Sequence, residues 1–222
     1  MPKRADHSSN KTHEVLDLMR VIARGDVSEA LRMLEASPSL ARQPLAQGAE
    51  RQTATDFYFP EIGHYLYSGD TPLHAAAAGY RTEIARALIH LGADVSARNR
   101  RGAEPIHYAA DGNPGSQNWS PQAQAEIIAL LVLNGAKPDA LDKSGVAPLH
   151  RAVRQRCTGA VEALLKCGAT VQLKNKSGST PLRLAVLTTG RGGSGSPEAR
   201  ACQQQIIQLL LAADADPEDL HP

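Results

Sequence analysis

Three histidines recur at matched places along this chain of 222 residues: His74, His107 and His150, each two positions after a proline. Imidazoles in register invite a metal reading. Metal ligands must converge within about 2 Å of one ion, whereas one histidine per helical unit would place them on the order of 10 Å apart. Bonds to neighbouring backbone are the expected role, with no metal and no cofactor. Asp56, Glu61 and His64 form a dense group of titratable side chains that acid–base chemistry would use. No nucleophile motif surrounds them, so the expectation is that no residue is catalytic; a small-molecule or catalytic site around His64 is the alternative. The three cysteines, Cys157, Cys167 and Cys202, lack a CxxC spacing and read as reduced thiols of a cytoplasmic protein. "GRGGSGS" at 190–196 has neither the preceding strand nor the GK[ST] ending of a phosphate loop.

The elements that would position these residues come from an internal period. "TPLHAAAAG", "EPIHYAADG", "APLHRAVRQ" and "TPLRLAVLT" align on Pro72, Pro105, Pro148 and Pro181, spaced by 33, 43 and 33 residues. "LGADV", "NGAKP", "CGATV" and a looser "ADADP" follow in step. Between them lie apolar couplets at helical spacing: Ile84 with Leu88, Ile127 with Leu131, Val161 with Leu165, Ile207 with Leu211. Thr before Pro is a helix cap followed by the first helical position, where a missing N–H does no harm. Ala75 and Ala76 let a second helix approach, and Gly79 is expected to end the first in a left-handed conformation. One such pair leaves a face uncovered, so the units must stack.

These blocks resemble the ankyrin repeat, with its period of about 33 residues and its T-P-L-H-x-A pattern. The resemblance implies an all-α ankyrin-repeat solenoid of about five helix-turn-helix units with hairpin-like connectors. A degenerate first unit is read in "VLDLMRVIARGDVSEALRMLEASP", with Gly25 in the place of Gly79. The boundaries are a flexible tail at 1–12, a repeat domain at 13–217 and a tail at 218–222. Its units are 14–42, 69–101, 102–144, 145–177 and 178–217. Departures from the pattern are Glu104 and Ala147 for the capping Thr, Arg183 for the His, and Gln155 for the Gly. A lost cap costs about 1 kcal/mol, which would soften units three and four.

Three insertions interrupt the period: 43–68, about 113–122 and about 188–199. The last is rich in Gly and Ser and should be flexible. The first holds five of the seven Phe and Tyr residues, in the connector that the ankyrin family shapes into a protruding finger. Phe57, Tyr58, Phe59, Tyr65 and Tyr67 are expected to divide between anchoring the loop and facing a partner, because rings dominate binding hot spots. A purely structural scaffold, with all the rings sealing the stack, is the competing reading. Trp119 in the second insertion joins the expected contact residues.

Overall charge is balanced, with 24 Lys and Arg against 23 Asp and Glu, and no apolar run is long enough to span a membrane. Nucleic acid and membrane are therefore not the expected partners. Charge is uneven locally: from Arg98 to Arg183 there are twelve Lys and Arg against six Asp and Glu. Arg98, Arg100 and Arg101 fall on a connector tip, and Arg151, Arg154 and Arg183 on first helices. The resemblance implies that these line one concave face. The function expected is non-catalytic protein binding, to another protein with an acidic surface, through connector tips, inner helices and the aromatic loop. A monomer is expected, although Ile206, Ile207, Leu210 and Leu211 of the last unit offer a face for self-association unless the acidic tail covers it.

Overall fold

The computed structural model describes residues 7–114, 119–187 and 196–220, with side chains from residue 13 onward. Five helix pairs follow one another: α1 (His7–Arg24) with α2 (Val27–Ala36), α3 (Pro72–Ala78) with α4 (Thr82–His90), α5 (Pro105–Ala110) with α6 (Pro121–Leu133), α7 (Pro148–Gln155) with α8 (Thr158–Lys166), and α9 (Pro181–Val186) with α10 (Pro197–Ala212). First helices pack side by side as one layer and second helices as another. This is the all-α repeat solenoid. The helix at the N-terminus already begins at His7, inside the stretch read as a tail. The Gly- and Ser-rich part of the third insertion lies outside the described residues.

Packing follows the small-residue logic. Every residue of α3 and of α5 is buried. Ile84, Leu88, Ile127, Leu131 and Val161 are fully enclosed between the layers. The last two units shift the register: Leu164 replaces Leu165 inside, and Ile206 and Leu210 replace Ile207 and Leu211. The self-association face therefore loses two of its four expected members to the core. A short 3₁₀ turn at Pro217–Leu220 packs on α9, where the Thr180 hydroxyl donates to Asp219 Oδ2 at 2.6 Å.

The histidines tie the units together. In α3, α5 and α7 the ring Nδ1 accepts the backbone N–H of the cap residue: Thr71 at 3.1 Å, Glu104 at 3.0 Å and Ala147 at 3.2 Å. With Nδ1 accepting, Nε2 carries the proton and donates to a carbonyl of the next connector: Ala103, Val146 and Ser179, at 3.1–3.2 Å. Helix starts without Thr thus keep one cap bond. Burial lowers the pKa of all three, His107 to about 4, consistent with the neutral tautomer the bonds require.

Connectors repeat a side-chain brace. Asn99, Asp142 and Asn175 each accept two backbone N–H groups of their own turn. Neighbouring tips are laddered by Arg100 N–H to Ser68 O, Lys143 N–H to Arg101 O and Lys176 N–H to Ser144 O, at 2.8, 2.9 and 3.1 Å.

The turn between α3 and α4 differs from expectation. Gly79 has φ −91°, and the left-handed residue is Tyr80 at φ 55°. Gly25 (φ 75°) and Arg156 (φ 61°) hold the same place, one before the next helix cap. Gly79 is needed for space instead: a Cβ there would sit 2.8 Å from Ile62 Cγ2.

Candidate protein-binding groove beside the aromatic loop

The 43–68 insertion is held by its own bonds and by buried side chains. Leu45 N–H donates to Asp70 O and Gly69 N–H returns to Leu45 O, closing its base at 2.7 and 2.8 Å. A 3₁₀ turn at Ala54–Phe57 leads into β1 (Tyr58–Phe59), which pairs antiparallel with β2 (His64–Tyr65), Tyr58 opposite Tyr65. Leu45, Ala49, Phe59 and Leu66 are buried. The alternation along each two-residue strand separates the rings: Phe59 is 5% exposed, whereas Tyr58 and Tyr65 are 43% and 42% exposed with centroids 4.8 Å apart.

The loop does not protrude as a finger. It crosses the first-helix layer, over α3 and α5. Ile62 presses on the Gly79 turn, and the His64 ring stacks on Tyr108 at 4.3 Å. Beneath lies a buried polar knot. Asp70, fully enclosed, accepts the Tyr67 N–H (2.6 Å), the Tyr108 hydroxyl (2.7 Å) and Asn99 Nδ2–H (2.8 Å). Burial and the Asp70 charge raise the Tyr108 phenol well above its ordinary value, so it stays a donor.

The latch is ionic. His64 Nε2 lies 3.2 Å from Asp111 Oδ2, and Nδ1 lies 3.0 Å from Tyr65 O. Both partners accept, so both ring nitrogens must carry hydrogen and the satisfied form is the imidazolium. Burial opposes that charge, but Asp111, the Tyr65 carbonyl and Asp70 outweigh it and raise the pKa. Asp111 is held near 2 despite burial by the charges of Arg151 and His64 and their bonds to it. Arg151, its side chain 13% exposed, forks between Asp111 at 2.8 Å and Asp142 at 3.1 Å. Asp56 and Glu61, grouped with His64 by sequence proximity, are exposed; the partner of His64 is Asp111, 47 positions away.

Between the loop and the turns that end α3 and α5 runs a groove of about 810 Å³. Tyr58, Tyr65 and Tyr67 form its loop side, with Tyr80, Arg81 and Trp119 among the residues opposite. Trp119 Nε1–H donates to Gln124 Oε1 at 3.0 Å, and Gln124 Nε2–H to the carbonyls of Ala109 and Asp111, which hold the indole at the rim. Cys157 is buried, its thiol pushed up to about 12, and all three cysteines are unpaired. Both nitrogens of His64 are committed to protein acceptors.

The expected basic residues are largely matched within the chain. Arg98 donates to the carbonyls of Gly102 and Leu141, and Arg100 to Ala49 O and Glu50. Arg101 stacks on Tyr67 at 4.5 Å and donates to its hydroxyl. Arg151 is saturated by two carboxylates. Of the first-helix arginines, exposed Arg154 and half-buried Arg183 have guanidinium groups with neither bond nor pairing among the described residues. Phe59 faces the core, and Phe57 is half-buried. Asp70, Tyr108, Asp111 and Arg81 were not singled out in the sequence. Tyr108 stands where the preceding unit has Ala75, and that bulk was a readable sign that something covers the helix.

A family model described as "Ankyrin repeats (3 copies)" matches residues 120–220, and "Ankyrin repeat" matches 68–100. The chain belongs to the ankyrin-repeat family. Mouse ankyrin repeat and SOCS box protein 16 is 32% identical over 154 residues, 68% of this chain and 31% of its own length. Mouse cyclin-dependent kinase 4 inhibitor B is 32% identical over 119 residues, 53% of this chain and 83% of its own. Human B-cell lymphoma 3 protein is 30% identical over 156 residues. The chain spans about a third of the length of the SOCS box relative. In this ankyrin-repeat protein the aromatic loop lies across the first-helix layer of units two and three.

Proposed function

We propose that this ankyrin-repeat chain is a non-catalytic, monomeric protein-binding module that docks a partner along the groove beside its aromatic loop. The carrying observation is the division of rings. Phe59 and Leu66 fix the loop, and Tyr58 and Tyr65 stand exposed as a contacting pair at the groove rim. Exposed, pre-ordered aromatics lose little entropy on docking and make effective anchors. The names of the relatives fit a binding role, one being an inhibitor of a kinase. Arg154 and Arg183, beyond the part of the layer that the loop covers, extend the contact surface, and Trp119 closes its other rim.

Replacing the whole loop would remove buried Leu45, Phe59 and Leu66, so the test uses surface changes. Capture from native lysate on the intact chain, on Tyr58→Ala/Tyr65→Ala and on Arg154→Gln/Arg183→Gln is compared at matched circular dichroism. Each ring at a hot spot should cost about 2 kcal/mol or more of binding. Equal capture by the tyrosine variant and the intact chain would refute the loop's role.

A further inference from the structure

The groove contains a guanidinium without a counter-ion. Arg81 lies against the Gly25 and Gly79 turns, where Cβ atoms added to those glycines would meet its Cζ at 2.9 Å and its Nε at 3.2 Å. Nη2 donates to Ala23 O at 2.9 Å, which fixes the plane. Nε is buried and makes no bond, and no carboxylate approaches within 4.0 Å among the described residues. Burial alone acts on its pKa, and lowers it. Half-buried charges are ordinarily paired. Arg98, Arg100, Arg101 and Arg151 are each matched internally, and buried Arg156, outside this groove, meets the Ala199 carbonyl; Arg81 differs from them in its buried Nε without a bond. Arg24, exposed and also unpaired among the described residues, lines the same groove. Glu61, on the loop side, is the one other free charge among the described groove residues, and it makes no contact with Arg81 within 4.0 Å.

We infer that Arg81, with Arg24 beside it, is the anchor for a carboxylate of an acidic partner segment laid along the groove, with a neighbouring apolar side chain of that segment against Tyr58 and Tyr65. This rests on the groove being the binding surface and adds the chemistry of its occupant. With Nε enclosed and one Nη2 hydrogen on Ala23 O, the edge left for a carboxylate is Nη1 with the second Nη2 hydrogen, which can give two parallel bonds. Forming the pair relieves a charge that is desolvated at rest, so specificity centres on Arg81 instead of the arginine-rich connectors.

The intact chain, Arg81→Gln, Arg24→Gln and Arg86→Gln are each panned against a random dodecapeptide library, with folding checked by circular dichroism. Peptides enriched on the intact chain are expected to share an Asp or Glu beside a large apolar residue. Their affinity should fall about tenfold or more on Arg81→Gln, as loss of a charge-assisted bond implies, and stay unchanged on Arg86→Gln, an exposed arginine of α4 outside the groove. If Arg81→Gln does not fold, Arg81→Lys and Arg24→Gln carry the test, each weakening the same peptides. Enrichment without an acidic position, equal binding by the Arg81 variants, or no enrichment on the intact chain overturns the inference. A lysate partner that needs Tyr58 and Tyr65 yet is indifferent to Arg81 would leave the groove reading standing and remove this one.

Discussion

At the scale of single residues, the fold and its loop are joined by a few charges whose partners are remote in sequence. His64 is protonated when docked on Asp111 and Tyr65 O, and its raised pKa sets the sign of the pH response. The stabilisation is fully present below the unfolded value of about 6.5 and is lost as pH rises through the higher folded value. Asp111, held near 2, does not titrate in that window. Amide protection factors of residues 58–67, with the base-catalysed intrinsic rate divided out, should therefore fall from mildly acidic to alkaline pH, and His64→Gln should flatten that response. Arg151→Ala leaves Asp111 with His64 as its one remaining counter-charge and Asp142 with none among the described residues, in a largely buried site. It should lower stability by about 3 kcal/mol, read as a lower urea midpoint with unchanged slope, and Arg151→Lys should restore only part because an ammonium lacks the fork. None of this was legible in the sequence. Asp111 sits in an interrupted connection and Asp142 in a connector, and nothing local marks either as the partner of a first-helix arginine.

At the scale of elements, the repeat itself was legible because each signal has a local cause. Proline starts the helix, histidine caps it, and the connector folds on its own Asn or Asp. The Pro-x-His spacing predicted backbone-bonded histidines, and the bonds to the cap N–H and the next carbonyl are what they make. His150→Ala removes both at once and should cost about 2 kcal/mol, measured by denaturant unfolding. The turn after α3 was misread. A glycine there suggested a left-handed residue, but Tyr80 takes that conformation and Gly79 makes room for Ile62. Gly79→Ala should consequently spare the helices by circular dichroism while raising exchange at the loop tip, residues 60–64. Unchanged exchange would mean that Ile62 does not rely on that turn.

At the scale of the whole molecule, burial of the first-helix layer fades along the stack. All of α3 and α5 is enclosed, whereas α7 shows exposed Arg154 and α9 half-buried Arg183. The loop covers units two and three and stops there. Stability in a stacked array is set by units and their nearest interfaces, so the loop acts as a staple over one interface. Leu164→Ala in unit four, which should cost 2–5 kcal/mol for a fully buried leucine, should loosen exchange in α7–α10 before α3 and α5. The sequence indicated that the aromatic insertion was ordered, from its ring content; its path could not be read, because the covering contacts join unit two's connector to unit three's helix. The central claim is that Tyr58 and Tyr65 meet a partner protein, and site-specific photocrosslinking tests it most directly. A photoreactive residue at position 65 is compared with one at 133, where Leu133 is 83% exposed on the second-helix layer. A crosslinked adduct with another protein at 65 and none at 133 is the predicted result. Equal labelling at both positions, or none at 65, would contradict it.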